Sequence, residues 1–110
     1  MKSKTIQRGD IFIADLEPTI GSEIKKIRPC MIVSSNEINN ELPYVVIVPL
    51  TTGSFDYFFR IPYTFLGKQA YFILDQIKTI DKTRLLDYKC RVPQPTLEKV
   101  LENLQEMFAI

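Results

Sequence analysis

Tyr44-Val45-Val46-Ile47-Val48-Pro49-Leu50 reads as a buried strand. Its valines and isoleucine lose rotamer freedom in a helix and pack well on a pleated surface, so the local chemistry favours sheet. The run ends in Thr51-Thr52-Gly53-Ser54, which sets two hydroxyls where the backbone leaves that strand.

Upstream, Gly9-Asp10-Ile11-Phe12-Ile13-Ala14-Asp15 has the same β-branched and aromatic character between turn formers. Glu17 to Gly21 breaks it, and Gly21 to Ser35 follows: a loop with Lys25 and Lys26, then Arg28-Pro29, then the apolar Cys30 to Val33. A residue before proline is pushed towards extended backbone, so Arg28 is expected to enter a strand with its charge held at the mouth of the core. Asn36 to Pro43 reads as a polar connection with room for one helical turn.

Downstream, Tyr57-Phe58-Phe59-Arg60-Ile61 is expected to form a strand closed by Pro62, followed by a turn at Leu66-Gly67-Lys68. Ala70 to Ile77 is expected to return as one long strand whose apolar run stops at Asp75. Asp81 to Leu86 suggests a short helical turn, and Lys89 to Val92 a last short strand. After Pro93 and Pro95 the period changes. Leu97, Val100, Leu101, Leu104, Met107 and Phe108 fall at helical spacing while Glu98, Glu102 and Glu106 take the outside, predicting an amphipathic terminal helix.

Five or six short strands and one such helix predict a mainly β (α+β) fold: a small, bent antiparallel sheet or partly open barrel covered by the helix. With 110 residues and no repeat or linker, residues 1–110 are expected to form one domain. No apolar run approaches the roughly 20 residues of a spanning helix, and the N-terminus lacks a signal-peptide centre, so the expected address is the cytoplasm.

The chain has no histidine, which removes the usual general base, the usual zinc ligand and every histidine-dependent triad. Cys30 and Cys90 have no partners at metal-ligand spacing; a disulfide between them is open, but core packing is the commoner use of two cytosolic thiols. The formal net charge is +1, and the glutamates of the terminal segment leave the body of the chain positive. What remains for chemistry is Arg28, the hydroxyls of Ser22, Thr51 and Thr52, and the carboxylates Glu23 and Asp75. That inventory suits attack on a phosphoryl centre by a hydroxyl already present in the substrate, with cations and donors stabilising the growing charge. RNA carries such a hydroxyl at its 2′ position. Each feature also has a plain reading: Arg28 as an ion pair with Glu23, Thr51-Thr52-Gly53 as turn chemistry, Lys25-Lys26 as a solvated loop, and Tyr57-Phe58-Phe59 as core.

Four ordered blocks go further than any one motif. They are Arg8-Gly9-Asp10 with Ala14-Asp15-Leu16 and Pro18; Gly21-Ser22-Glu23 with Arg28-Pro29; Val48-Pro49-Leu50-Thr51-Thr52; and Leu74-Asp75-Gln76-Ile77-Lys78-Thr79-Ile80-Asp81. In this order they resemble the MazF/PemK (Kid) family of toxin endoribonucleases, from Arg8 to about Phe108. The resemblance implies an SH3-like, partly open barrel acting as a homodimer. It also implies metal-independent cleavage of single-stranded RNA, leaving a 2′,3′-cyclic phosphate and a 5′-hydroxyl, with no cofactor. An antitoxin like MazE, with an acidic disordered tail, is the implied partner. Arg28 and Thr51 match the family's catalytic pair. Ser22, Glu23, Thr52 and Asp75 are further candidates for catalysis or RNA orientation, and Lys25, Lys26, Gln76 and Lys78 for RNA binding. Two positions depart from the family: Ile24-Lys25-Lys26-Ile27 stands where Gln and Gly are common, and Ile73 stands where the Kid branch has an arginine two places before its aspartate. A gyrase-poisoning toxin on the same fold, as in CcdB, and a catalytically silent RNA-binding module are the alternative readings.

Overall fold

The computed structural model describes residues 5–16, 21, 27–53 and 58–110. The strands are β1 (Asp10–Asp15), β2 (Ile27–Ile32), β3 (Tyr44–Thr51), β4 (Arg60–Phe65), β5 (Lys68–Ile73), β6 (Lys78–Asp81) and β7 (Leu85–Arg91). Helix α1 (Asn36–Glu41) follows β2, and helix α2 (Gln94–Met107) closes the chain. The strands form one antiparallel sheet in the order β4-β5-β3-β2-β1-β7, with β6 also paired to β3.

β3 is the pivot. Its N-terminal half, Tyr44 to Ile47, pairs with β6, and its last residues, Leu50 and Thr51, pair with β5. Two strands therefore share one edge of β3, and the sheet curls into a half-barrel where one gives way to the other. Side chains alternate between the two faces with a period of two. Ile11, Met31, Val48, Leu50 and Phe72 take one face, beneath Leu97, Val100 and Leu104 of α2. Phe12, Ala14, Cys30, Ile32, Val45, Ile47 and Ile80 pack together on the other. Each fully buried aliphatic side chain contributes about 1.5–3 kcal/mol relative to exposure, so both faces help to hold the curl.

Three local structures differ from the sequence expectation. The Ala70 to Ile77 run is two strands, because Leu74–Gln76 turns as a 3-10 helix and places Asp75 in that turn. Pro62 lies inside β4 and does not close it; β4 is the edge strand, where a residue without an N–H is tolerated. Phe58 and Phe59 precede β4 in a turn, Phe59 with φ 63°, and Tyr57 lies outside the described residues. The C-terminal end differs too: Phe108 caps α2 and is exposed, leaving Met107 as the last apolar side chain packed against the core.

The last strand is longer than the Lys89 to Val92 expected, because the turn before it spans only Lys82–Arg84 and β7 begins at Leu85. The other expected elements form, and for identifiable reasons. Ser35 Oγ accepts from the Ile38 N–H and caps α1, while Asp81 caps the turn Lys82–Arg84 through the Thr83 N–H at 2.9 Å. Cys30 is buried, Cys90 is half-buried, and both are free thiols.

Candidate functional site

Arg28 enters on β2 directly opposite Ala14 of β1. On its other side, β2 pairs with β3 only from Cys30, opposite Pro49, inward to Ile32. The Val33 N–H donates to the Val46 carbonyl, so by alternation the next bonded positions are Met31 with Val48 and then Pro29 with Leu50. Pro29 has no N–H to donate, so the β2–β3 ladder stops there and the two strands separate. Continuing the register beyond Cys30 and Pro49 brings Arg28 level with Thr51, and Nη1 of Arg28 donates to Oγ1 of Thr51 at 3.2 Å. The Gly53 N–H also donates to that oxygen, at 3.4 Å. Two N–H groups thus donate to the Thr51 hydroxyl, whose own O–H remains to donate to a further group.

The separation leaves a cavity of about 190 Å³. Pro29, Leu50, Phe65 and Ala70 make its apolar wall, and Arg28 and Thr51 contribute to its rim. Thr52, exposed in the bend after β3, lines the same cavity.

Pairing and alternation extend the polar side of the sheet. Thr51 is opposite Tyr71, Ile73 lies two residues further along β5, and Ile73 is opposite Arg60. Arg60 thus falls on the face of Thr51 and Arg28. Its guanidinium forks onto Asp75, Nε to Oδ1 at 3.2 Å and Nη2 to Oδ2 at 3.1 Å. The hydrogen bonds from Arg60 hold the Asp75 carboxyl below the usual carboxylate range, against a smaller upward pull from burial. Lys78, half-buried on β6 opposite Ile47, lies on the same face. Burial pushes the Cys30 thiol up to about 12, while Arg28 and Lys78 both draw it down. Both cations therefore lie near enough to one buried sulfur to act on it.

Of the candidate site residues, the structure brings Arg28 and Thr51 into contact and sets Thr52 beside them. Asp75 is engaged by Arg60, Gln76 is half-buried in the same 3-10 turn, and Lys78 joins the cationic face. Ser22, Glu23, Lys25 and Lys26 lie outside the described residues, and so does the expected Glu23 ion pair with Arg28. Arg60 was not among the sequence candidates. In sequence it is one charge after three aromatics, and only the strand register reveals that it stands across from Ile73, the position at which the resemblance expects an arginine. The arrangement can grip a phosphate with a planar guanidinium, donate to it from a hydroxyl, and surround it with further positive charge. Among the described residues no group of three or more Cys, Asp or Glu side chains converges as metal ligands would, and no helix is long and apolar enough to cross a membrane.

Known proteins resemble this chain in sequence and in fold. The chain is 31% identical to the endoribonuclease EndoA of Bacillus subtilis, over 96% of both chains. It is 35% identical to the endoribonuclease MazF of Staphylococcus epidermidis over 73% of this chain and 72% of that one. Its fold superposes on MazF from Deinococcus radiodurans with a TM-score of 0.86, at 19% identity, covering 98% of this chain and all of that one (100%). It also superposes on a mycobacterial endoribonuclease solved with its cognate antitoxin, with a TM-score of 0.76 at 28% identity over 91% of each chain. Residues 7–108 match the profile of PemK-like, MazF-like toxins of type II toxin-antitoxin systems, and the chain belongs to that family.

Proposed function

We propose that this protein is the toxin of a type II toxin-antitoxin pair and cuts single-stranded RNA at short sequences without a metal. The observation that carries the reading is the Arg28–Thr51 hydrogen bond at 3.2 Å, which sets a cation and a hydroxyl side by side at one cavity. In the reaction the substrate 2′-oxygen attacks phosphorus, the P–O5′ bond breaks, and a 2′,3′-cyclic phosphate and a 5′-hydroxyl result. Arg28 offsets the charge that builds on the phosphorane oxygens and gives a proton to the departing 5′-oxygen, regaining it from solvent, into which the proton of the 2′-hydroxyl passes. Thr51 holds the scissile phosphate through its hydroxyl proton. Asp75, kept ionised by Arg60, is a poor base near neutral pH; the two act as a positioning pair beside the phosphate. Lys25, Lys26, Gln76 and Lys78 bind the RNA, with Ser22, Glu23 and Thr52 orienting Arg28 or the substrate.

The protein works in the cytoplasm as a homodimer, and an antitoxin like MazE inhibits it by laying an acidic disordered tail across the cationic face. The mycobacterial relative, solved with its cognate antitoxin, supports the partnership. The test is to map cleavage sites on a mixed RNA, in the presence of a chelator, with wild type and Arg28→Ala side by side. Wild type is expected to leave cyclic-phosphate ends at a short recurring sequence, and Arg28→Ala to lose roughly 10²-fold or more in rate, the scale for removing one group that stabilises transition-state charge. A wild type that arrests growth while leaving all RNA intact, with Arg28→Ala equally toxic, refutes the proposal.

A further inference from the structure

We propose that the gap between β2 and β3 is a base pocket: it takes one unstacked nucleobase next to the phosphate held by Arg28 and Thr51, with Phe65 as the ring that packs against it. The proposal rests on the nuclease reading and deepens it by assigning a specificity site to that centre.

The cavity exists because the ladder fails. Neighbouring strands normally lie about 4.8 Å apart, with no room between them for a ring. Here β2 loses β3 as a partner at Pro29, β3 goes on to pair with β5 along its other edge, and the space left is about 190 Å³. Sites for drug-sized ligands begin near 300 Å³, so this one suits a single planar group and not a base together with its sugar. Its walls divide by chemistry. Pro29, Leu50 and Ala70 offer a surface for the apolar faces and C–H edges of a base, and Phe65, half-buried on β4, offers an aromatic ring. The hydroxyls of Thr51 and Thr52, which line the same cavity, can meet the polar edge or the backbone. Sequence-specific proteins read single-stranded RNA in this way, by splaying a base out, stacking it on an aromatic side chain and bonding its edge.

Position also favours a base over an unrelated small molecule. Arg28 and Thr51 border the cavity and bond each other, so a phosphate on that pair stands at the mouth and the nucleoside attached to it is within reach of the gap. Phe65 is held by the tight turn that follows it, since Leu66 and Gly67 connect it directly to Lys68, its partner in the β4–β5 ladder. The side chain is partly buried and packs against the core, so the ring is placed before substrate arrives, which reduces the ordering cost of binding.

The experiment uses short single-stranded RNAs built around a mapped cleavage site, with an abasic nucleotide placed in turn on each side of the scissile bond. Wild type is expected to lose about tenfold or more in kcat/KM with the base missing at one of the two positions and much less at the other, the scale of stacking one base on an aromatic ring. Phe65→Leu keeps an apolar filling and removes the ring. It should lose a similar factor on intact RNA, lose little further on the abasic RNA at the sensitive position, and relax the sequence preference there alone. Ile27→Trp, at an exposed position lining the same cavity, narrows it from outside and should show the same coupling, so the test survives if Phe65→Leu folds poorly by circular dichroism. Losses from Phe65→Leu and from base removal that simply multiply, or an unchanged sequence preference, overturn the base pocket while leaving the nuclease reading intact. A wild type that cuts no RNA overturns both.

Discussion

A lysine at position 28 would keep a positive charge but replace a flat fork of donors with one compact ammonium on a flexible stem. Arg28 already spends Nη1 on Thr51, so its use of a phosphate depends on presenting other N–H groups in the same plane. Arg28→Lys is therefore expected to cut RNA about 10²-fold more slowly than wild type with a small change in stability, measured by single-turnover cleavage beside urea melts. At Arg60 the expectation is electrostatic. Asp75 has its folded pKa lowered by the guanidinium, so the pair's contribution is complete above the carboxyl's ordinary value near 3.9 and is lost as pH falls through the folded value. Because the Asp75 side chain is 37% exposed, that contribution is on the order of 1 kcal/mol or less. Arg60→Ala should accordingly trail wild type slightly in urea midpoint at neutral pH and converge with it in acid; a gap that persists in acid would assign the loss to packing. The two thiols should separate by burial: a thiol reagent at mildly alkaline pH is expected to label Cys90 in the native protein and reach Cys30, raised to about 12, only on unfolding. Arg28 and Thr51 were legible in the sequence because each carries its own local signal, a cation held before proline and a hydroxyl at a strand end. Arg60 was not, since its meaning comes from a partner 15 residues away.

Among the elements, β3, β1 and α2 follow directly from residue patterning, but the division of the Ala70 to Ile77 run does not. Ile73 and Leu74 run apolar into the turn and Ile77 is apolar after it, so Asp75 and Gln76 between them read as a polar end of one strand and not as a break between two. The interruption is tertiary: the Leu74 N–H donates to the Phe59 carbonyl at 3.0 Å, and the Ile77 N–H returns to the Leu74 carbonyl at 3.1 Å. β4 was misplaced because Pro62 signals a strand end only when the strand is interior. The β4–β5 turn yields a stability prediction of its own. Leu66 and Gly67 have φ of 50° and 82°, the two positive values of a type I′ turn, for which Asn-Gly is the favoured pair. A leucine there carries a steric cost of roughly 1–2 kcal/mol, and its side chain is 68% exposed, so little packing offsets that cost. Leu66→Asn should raise stability by about 1 kcal/mol, seen as a higher urea midpoint at unchanged slope. A midpoint that falls would mean that Leu66 contributes packing beyond the described contacts.

At the scale of the whole molecule the difficulty is charge. The chain totals +1, and α2 holds three glutamates against one lysine, which leaves +3 for everything else. Single-stranded RNA carries a phosphate at every nucleotide, and binding strength scales with the number of phosphates neutralised together. One chain offers Arg28, Arg60 and Lys78 on its cationic face, and Arg60 is already partnered by Asp75. A two-fold pair of chains would present two such faces to one strand without a change in fold, a requirement that residue patterning cannot express because it concerns a surface that meets its own copy. The expected outcome is a species of twice the 12.8 kDa chain mass by sedimentation at micromolar concentration. Cleavage per chain should then fall on dilution in step with the loss of that species, and raised salt should weaken RNA binding steeply. A protein that sediments as a monomer throughout and cuts RNA with constant activity per chain would show instead that one cationic face suffices, and the homodimer would have to be abandoned.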